Sequence, residues 1–367
     1  MKLWHIAALL IAGIAVGIAF PGRLTTIFGA ATLYVFLPAL IFEAAWHLDF
    51  QLVRANWKPI ALLAVPGVAL TAGIVATCVH YVGALAWGPA LLLGAILSAT
   101  DPVAVVAIFR RLPVPRPLAT IVESEALLND AIAVVLYRAI IAALVVSAGA
   151  AGISHSASQA LAGVGIGIAI GAVLGYLAAF ALRDAIGAPV QTAATLAGAY
   201  GCYLLADSFG WSGIFAVLAF GVVLRELERH RISVESADSV ERFWERVSLA
   251  ANLALFFLIG AALDFTRLTH SLPTAAITLA AVFLARVILA YGLLRLAHVH
   301  LRPFWMTVVR MAGIRGALAL ALALATPAAI PQRGTIVDAT FAVVVVTVLA
   351  GALTLPWRLE RLQLESD

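Results

Sequence analysis

Charge is scarce in this chain. Only 11% of its 367 residues are Asp, Glu, Lys or Arg, against about 25% in a soluble globular domain. With 63% of residues hydrophobic, a soluble fold is excluded and an integral membrane protein is indicated. Cysteine is nearly absent. Cys78 and Cys202 both lie in apolar segments, which excludes a disulfide framework and leaves them as packing residues. No metal-ligand spacing and no nucleophile motif occurs, so the chain carries no cofactor signature and does not read as an enzyme. No segment alternates as a barrel strand would. The net charge of +4 is no sign of nucleic-acid binding, because the basic residues follow loops. The first apolar run ends at Phe20 without an A-x-A site and reads as a first span, not a secretory signal.

What is present is a series of apolar runs, each near the roughly 20 residues that a membrane crossing needs. Twelve spans are expected, at about 3–20, 27–46, 59–82, 88–109, 118–147, 160–182, 190–207, 211–224, 247–263, 274–296, 304–328 and 338–356. With the N-terminus inside, sixteen Lys and Arg fall in inside loops and three, Arg23, Arg267 and Arg333, in outside loops. That asymmetry places both termini in the cytoplasm of a multi-pass cell-membrane protein. The inside loop Arg225–Arg246 reads as a charged amphipathic surface helix serving as a solvated connector. His47 and His80 fall near span ends, where a wet interface accounts for them. Only ten residues follow Trp357, so no soluble regulatory domain is expected.

Two spans carry breakers. Pro102 removes a backbone donor and pushes Asp101 out of the helical region, so the fourth span should fail near Thr100–Asp101. In the eleventh, Gly313 and Gly316 bracket Arg315. Broken backbone at that depth is tolerated only where protein or water satisfies it. The two spans are seven apart and run in opposite directions, as inverted repeats with interrupted helices require.

The fifth span is the most unusual. It places Glu123, Glu125, Asn129 and Asp130 among Leu, Ala, Ile and Val. Each ionised group at that depth costs roughly 2.5–3.5 kcal/mol on insertion scales, and the default reading is an ion or proton pathway. Helix spacing puts Glu123, Ala126 and Asp130 on one stripe and Glu125 with Asn129 on the neighbouring one. Arg286, deep in the tenth span, needs a carboxylate, and Glu125 is the best candidate. Arg315 can compensate either Asp101 or the broken backbone. Asp130 is then the acid without a fixed cation. It can take up a proton, or it can bind a small hard cation through oxygen ligands, and the two compete. Asn129 supplies a dipole without a second charge. Glu123 and Glu43 are candidates for the access path.

These residues resemble the cation/proton antiporter superfamily, in particular its sodium/proton exchanger branch with the bacterial NhaP-type antiporters. The family pattern E-S-L-L-N-D is matched by Glu125-Ala126-Leu127-Leu128-Asn129-Asp130, and T-D-P by Thr100-Asp101-Pro102. Further matches are Phe36–Asp49, the Arg286 helix and GIRGALALALAL. The resemblance implies that Asp130 is the exchanging carboxylate, with Asn129 beside it and Thr100 and Asp101 shaping the site. It implies Glu125 paired with Arg286, and Arg315 and Ala126 supporting the site. An Asn-Asp pair implies electroneutral exchange. A homodimer is implied as well, in which core helices at about 88–147 and 274–356 move like an elevator against a scaffold at about 3–82 and 190–263, with 160–182 as linker helix. Ala126 departs from the family's serine and removes one oxygen. The resemblance implies thirteen spans where twelve are expected here, so the expectation is that the family's first span has no counterpart among them.

The expectation is an all-α polytopic antiporter, one transmembrane domain over 1–367, with about twelve helices and two interrupted crossing helices. It exchanges Na⁺, Li⁺ or K⁺ for H⁺ at Asp130, one for one, by alternating access, and serves pH homeostasis. The transported Na⁺ sits at Asp130 as substrate; no cofactor is expected, and the partners are the cation, the proton, membrane lipid and a second copy. Alternatives are a K⁺/H⁺ exchanger on the same scaffold, a channel or membrane-embedded sensor, and a symporter of small organic anions.

Overall fold

The computed structural model describes residues 3–20, 31–101, 109, 114–145, 150–182, 187–228, 234–262, 265–296, 298–299 and 301–364. Every regular element among the described residues is helical. In chain order they are α1 (Leu3–Ala19), α2 (Ala31–His47), the short α3 (Phe50–Ala55), α4 (Trp57–Tyr81), α5 (Trp87–Ser98) and α6 (Arg116–Val145). Next come α7 (Ala150–Ala181), α8 (Ala188–Ser208), α9 (Gly213–Glu228), α10 (Val234–Ala262) and α11 (Phe265–Val287). A π-helical turn, Ile288–Leu293, carries α11 into Leu294–Leu296. The last elements are α12 (Pro303–Met311), α13 (Ala317–Ala325) and α14 (Arg333–Leu364).

Five stretches are long and apolar enough to cross a membrane: Trp57–Tyr81, Arg116–Val145, Ser158–Ala181, Thr269–Leu296 and Arg333–Gly351. They fall on the third, fifth, sixth, tenth and twelfth expected spans. Leu33–His47 and Trp87–Ser98 are shorter apolar helices.

The chain divides into two units. The first is built from α1, α4 to α6, the end of α10 from Leu255, and α11 to α14. Its centre is α13, ALALALALA, whose residues Ala317–Leu324 are all buried. A short helix that is apolar all round has no solvent face to offer, so it is surrounded. Helix α5 is buried at Pro89 and Ala90 and again from Leu92 to Ser98, with Leu91 exposed. Both breaks fall where the sequence places them. Helix α5 ends at Ser98, and Ala99 (ψ 140°) already leaves the helical region. Helix α12 ends at Met311, and α13 starts only at Ala317. Pro102, the expected cause of the first break, lies outside the described residues.

The second unit holds α2, α7, α8, α9 and α10 up to Ala254. Helix α7 meets the turn before α9 at Gly163 and runs along α9 at Gly167, Gly171 and Gly175, spaced four apart. A Cβ on Gly171 would lie 2.0 Å from the Ala216 carbonyl oxygen, and one on Gly167 2.5 Å from that of Ser212. Small residues at this spacing let two backbones touch, the usual device where lipid supplies no hydrophobic drive. One expectation needs correction. The loop Arg225–Arg246 is not a solvated connector: from Val234 it is continuous with the ninth span as α10. Val240, Trp244 and Ser248, one turn apart, are buried. The Trp244 ring lies 4.4 Å from that of Phe42, and its indole N–H donates to Thr195 Oγ1 at 3.0 Å.

Candidate functional site

The two breaks meet inside the first unit. The Asp101 N–H donates to the Ile314 carbonyl oxygen at 2.8 Å, so each interrupted segment satisfies part of the other. The last carbonyls of α5 are orphans of a helix end and carry its negative pole. Arg315 answers both needs: its Nη1 donates to the Ser98 and Ala99 oxygens at 3.2 and 3.0 Å. Of the two roles open to Arg315, the contacts favour the broken backbone. Its own N–H donates to Thr347 Oγ1 at 3.2 Å, and the side chain is 1% exposed.

Gly316 shows why this crossing needs glycine. Its φ of −132° is open to any residue, so conformational freedom is not the reason. A Cβ there would lie 2.2 Å from both Cβ and Oδ2 of Asp101. The Asp101 carboxylate thus rests against Gly316, the N-cap residue of α13, where a helix presents its positive end.

Helix α6 supplies the other wall. The Glu125–Asn129 stripe expected from i, i+4 spacing forms as a chain of contacts. Arg286 Nη1 donates to Glu125 Oε1 in a charge-assisted bond. Asn129 Nδ2 donates to the same oxygen and to Thr100 Oγ1, both at 3.2 Å. An ionised carboxylate only accepts, so the Asn129 amide must turn its nitrogen this way. Its Oδ1 is left buried and accepts no hydrogen bond. Glu125 and Arg286 are 1% and 4% exposed. The expected pair therefore exists, and Asn129 ties it to the break in the fourth span.

Asp130 sits on the adjoining stripe. Its Oδ1 accepts from the Thr100 N–H at 3.1 Å. Among the described residues no Arg or Lys pairs with it, since Arg286 is held by Glu125 and Arg315 by two carbonyls. It is partly exposed. Thr100, Asp101, Asn129 and Asp130 thus come together, with Glu125, Arg286 and Arg315 fixed around them. A carboxylate so placed, with the Thr100 N–H donating to it, can hold either a proton or a small cation, but not both. The buried Ala126 adds a methyl and no ligand atom.

The remaining candidates fall elsewhere. Glu123, also on α6, is partly exposed in the first unit. Glu43 is on α2 in the second unit, where Ser248 Oγ donates to its Oε2 at 3.5 Å. The sequence reading missed Thr347, whose only signal was a lone hydroxyl in an apolar run. It also missed Asp338, the first residue of the twelfth expected span. Asp338 is fully buried and accepts from Ser271 Oγ at 3.3 Å.

The model of the transmembrane sodium/hydrogen exchanger family matches residues 1–361. The chain belongs to that family. Among its relatives, the low-affinity Na⁺/H⁺ antiporter NhaS1 of Synechocystis is 34% identical over 91% of this chain and 65% of its own length. The Na⁺/H⁺ antiporter ApNhaP of Aphanothece halophytica is 33% identical over 98% of this chain and 70% of its own. The chain thus spans about two thirds of the length of these exchangers. In fold it is similar to the sodium proton antiporter MjNhaP1 of Methanocaldococcus jannaschii, with a TM-score of 0.84 at 22% identity, covering 96% of this chain and 91% of that one. The named relatives of this exchanger-family chain are transporters, not enzymes.

Proposed function

We propose that the chain is a secondary antiporter that exchanges a monovalent cation, Na⁺ or else Li⁺ or K⁺, for H⁺ at Asp130. The observation that carries this reading is the division of labour among the buried charges. Arg286 is committed to Glu125 and Arg315 to the Ser98 and Ala99 carbonyls, while Asp130 has an amide N–H and no fixed cation. Neutralising the Asp130 carboxylate requires a proton or a cation, and which one binds depends on the concentrations at the open side. The relatives named as Na⁺/H⁺ antiporters support the same reading.

In the cation-bound state the ligands are the Asp130 carboxylate, Thr100, the Asn129 amide oxygen, Asp101 or its carbonyl, and water. These are hard oxygen donors, as a small monovalent cation prefers. In the other state Asp130 carries the proton. One carboxylate cycling between one proton and one monovalent cation gives electroneutral 1:1 exchange. Asn129 next to it brings no second proton. Alternating access moves this site between the two membrane faces, with the inverted repeats of about twelve spans rocking a core bundle in a homodimer whose termini are cytoplasmic. Glu123 and Glu43 lie on the access path.

The test is a cation panel in proteoliposomes loaded with a pH-sensitive dye, run with and without an imposed membrane potential. Na⁺ should drive proton efflux at a rate independent of potential. A rate that follows potential would refute one-for-one exchange. Steady conductance in planar bilayers would replace the antiporter by a channel.

A further inference from the structure

A second group of ionisable side chains lies in the second unit and takes no part in the exchange reading. His47 is the last residue of α2. Its Nδ1 is 2.9 Å from the Glu43 carbonyl oxygen. A carbonyl can only accept, so Nδ1 carries the hydrogen and Nε2 of the neutral ring presents a lone pair. Nε2 is buried and makes no hydrogen bond. It faces Glu241 Oε1 at 3.5 Å and Glu245 Oε1 at 3.9 Å, two carboxylates one turn apart on α10.

A lone pair aimed at two carboxylates is repulsive unless a positive charge lies between them. A proton on Nε2 would draw one carboxylate to about 2.7–2.9 Å, the length of a charge-assisted N–H···O bond. The observed gaps are wider. Around a tetrahedral ion with bonds of about 2.0–2.1 Å, neighbouring ligand atoms stand about 3.4 Å apart. The 3.5 Å gap fits that edge, the 3.9 Å gap needs a small rotation of Glu245, and all three donor atoms lie within 4.8 Å of one another.

The surroundings also suit an ion. Imidazole ligands are oriented by a hydrogen bond from the other ring nitrogen to a carbonyl, and the Glu43 oxygen provides it. Arg225 Nη2 stands 3.8 Å from Glu241 Oε2 and its guanidinium lies over the Trp46 ring at 4.8 Å. Helix α10 is fixed here by buried Trp244. The side chains of His47, Glu241 and Glu245 are 25%, 36% and 40% exposed, so an ion has access.

We infer that His47, Glu241 and Glu245 form a binding site for a first-row transition dication, with water completing the shell. One imidazole and two carboxylates suit Zn²⁺, Co²⁺ or Mn²⁺, whereas Mg²⁺ and Ca²⁺ take oxygen ligands alone. The bound ion cross-links α2 to α10. This inference is independent of the exchange reading and survives its failure.

The experiment uses the full chain in detergent, stripped with chelator and titrated with Zn²⁺ by calorimetry and with Co²⁺ by visible absorption. One ion per chain is expected, with d–d bands of a low-coordinate Co²⁺ site, a rise in melting temperature on Zn²⁺, and no competition from excess Mg²⁺. His47→Ala should abolish binding, and Glu241→Gln and Glu245→Gln should each weaken it at least tenfold. Melting temperatures of the stripped variants establish that each is folded. Absence of stoichiometric Zn²⁺ binding, or binding that survives unchanged in His47→Ala and Glu245→Gln, would overturn the site and leave a plain ion pair.

Discussion

The Glu125–Arg286 pair offers a sharp quantitative test of how this membrane interior holds its charges. Both side chains are almost wholly buried, at 1% and 4% exposed. Glu125 Oε1 accepts from both Arg286 and Asn129. Removing one partner of a buried pair strands the other charge and costs about 3–5 kcal/mol, whereas replacing both partners costs far less. Glu125→Gln keeps an oxygen for Asn129 and Arg286 but loses the charge, so it should fall near the lower figure. Arg286→Met leaves a carboxylate held only by an amide, so it should fall near the upper one. The double variant strands neither charge and should lose no more than about 2 kcal/mol, well below the sum of the singles. Thermal unfolding of all four proteins in one detergent reads this as a rank order. The double variant should melt above Arg286→Met and no lower than Glu125→Gln. Additive losses, with the double variant melting lowest, would refute the claim that the pair exists to neutralise itself.

Two further predictions concern the exchange site. Gly316→Ala puts a methyl 2.2 Å from the Asp101 carboxylate and must displace it by about an ångström; misplacement on that scale costs up to about 100-fold in a preorganised site. Exchange should drop at least tenfold while the helical circular dichroism spectrum is retained; full activity would show that the close approach is unimportant. Proton and cation compete for Asp130, so the apparent KM for Na⁺ should rise as pH falls, by up to about tenfold per unit, with the maximal rate at saturating Na⁺ unchanged. A falling maximal rate at constant KM would place the proton elsewhere.

Much of this arrangement was legible from residues alone. The carboxylate-bearing run expected at 118–147 is helix α6, Arg116–Val145, because a span rich in Leu, Ala and Val has few other options at that depth. The two breaks were legible because Pro102 and the glycines that bracket Arg315 stand out within apolar runs. The Glu125–Arg286 pair followed from the cost of a lone buried charge. Other features depended on distant neighbours. Charges across 225–246 suggested a surface helix serving as a solvated connector; the helix is there, yet Val240 and Trp244, continued at one-turn spacing by Ser248, mark a buried face. His47 looked like an interfacial histidine, and only the folding of α2 against α10 brings Glu241 and Glu245 to it. In the sequence Gly316 reads as a helix breaker beside Arg315, but what a side chain there would meet is the Asp101 carboxylate, 215 positions earlier in the chain. Asp338 stood at an expected span end, and the longer helix α14 carries it into the interior.

The central claim is that Asp130 alone carries the exchanged proton or cation. Its most direct test is Asp130→Asn, reconstituted beside the parent chain in proteoliposomes with an internal pH dye and given a pulse of Na⁺. The parent should show Na⁺-driven proton movement and the variant none, with equal incorporation and equal melting behaviour. Exchange by the variant at the parent's rate would contradict the account.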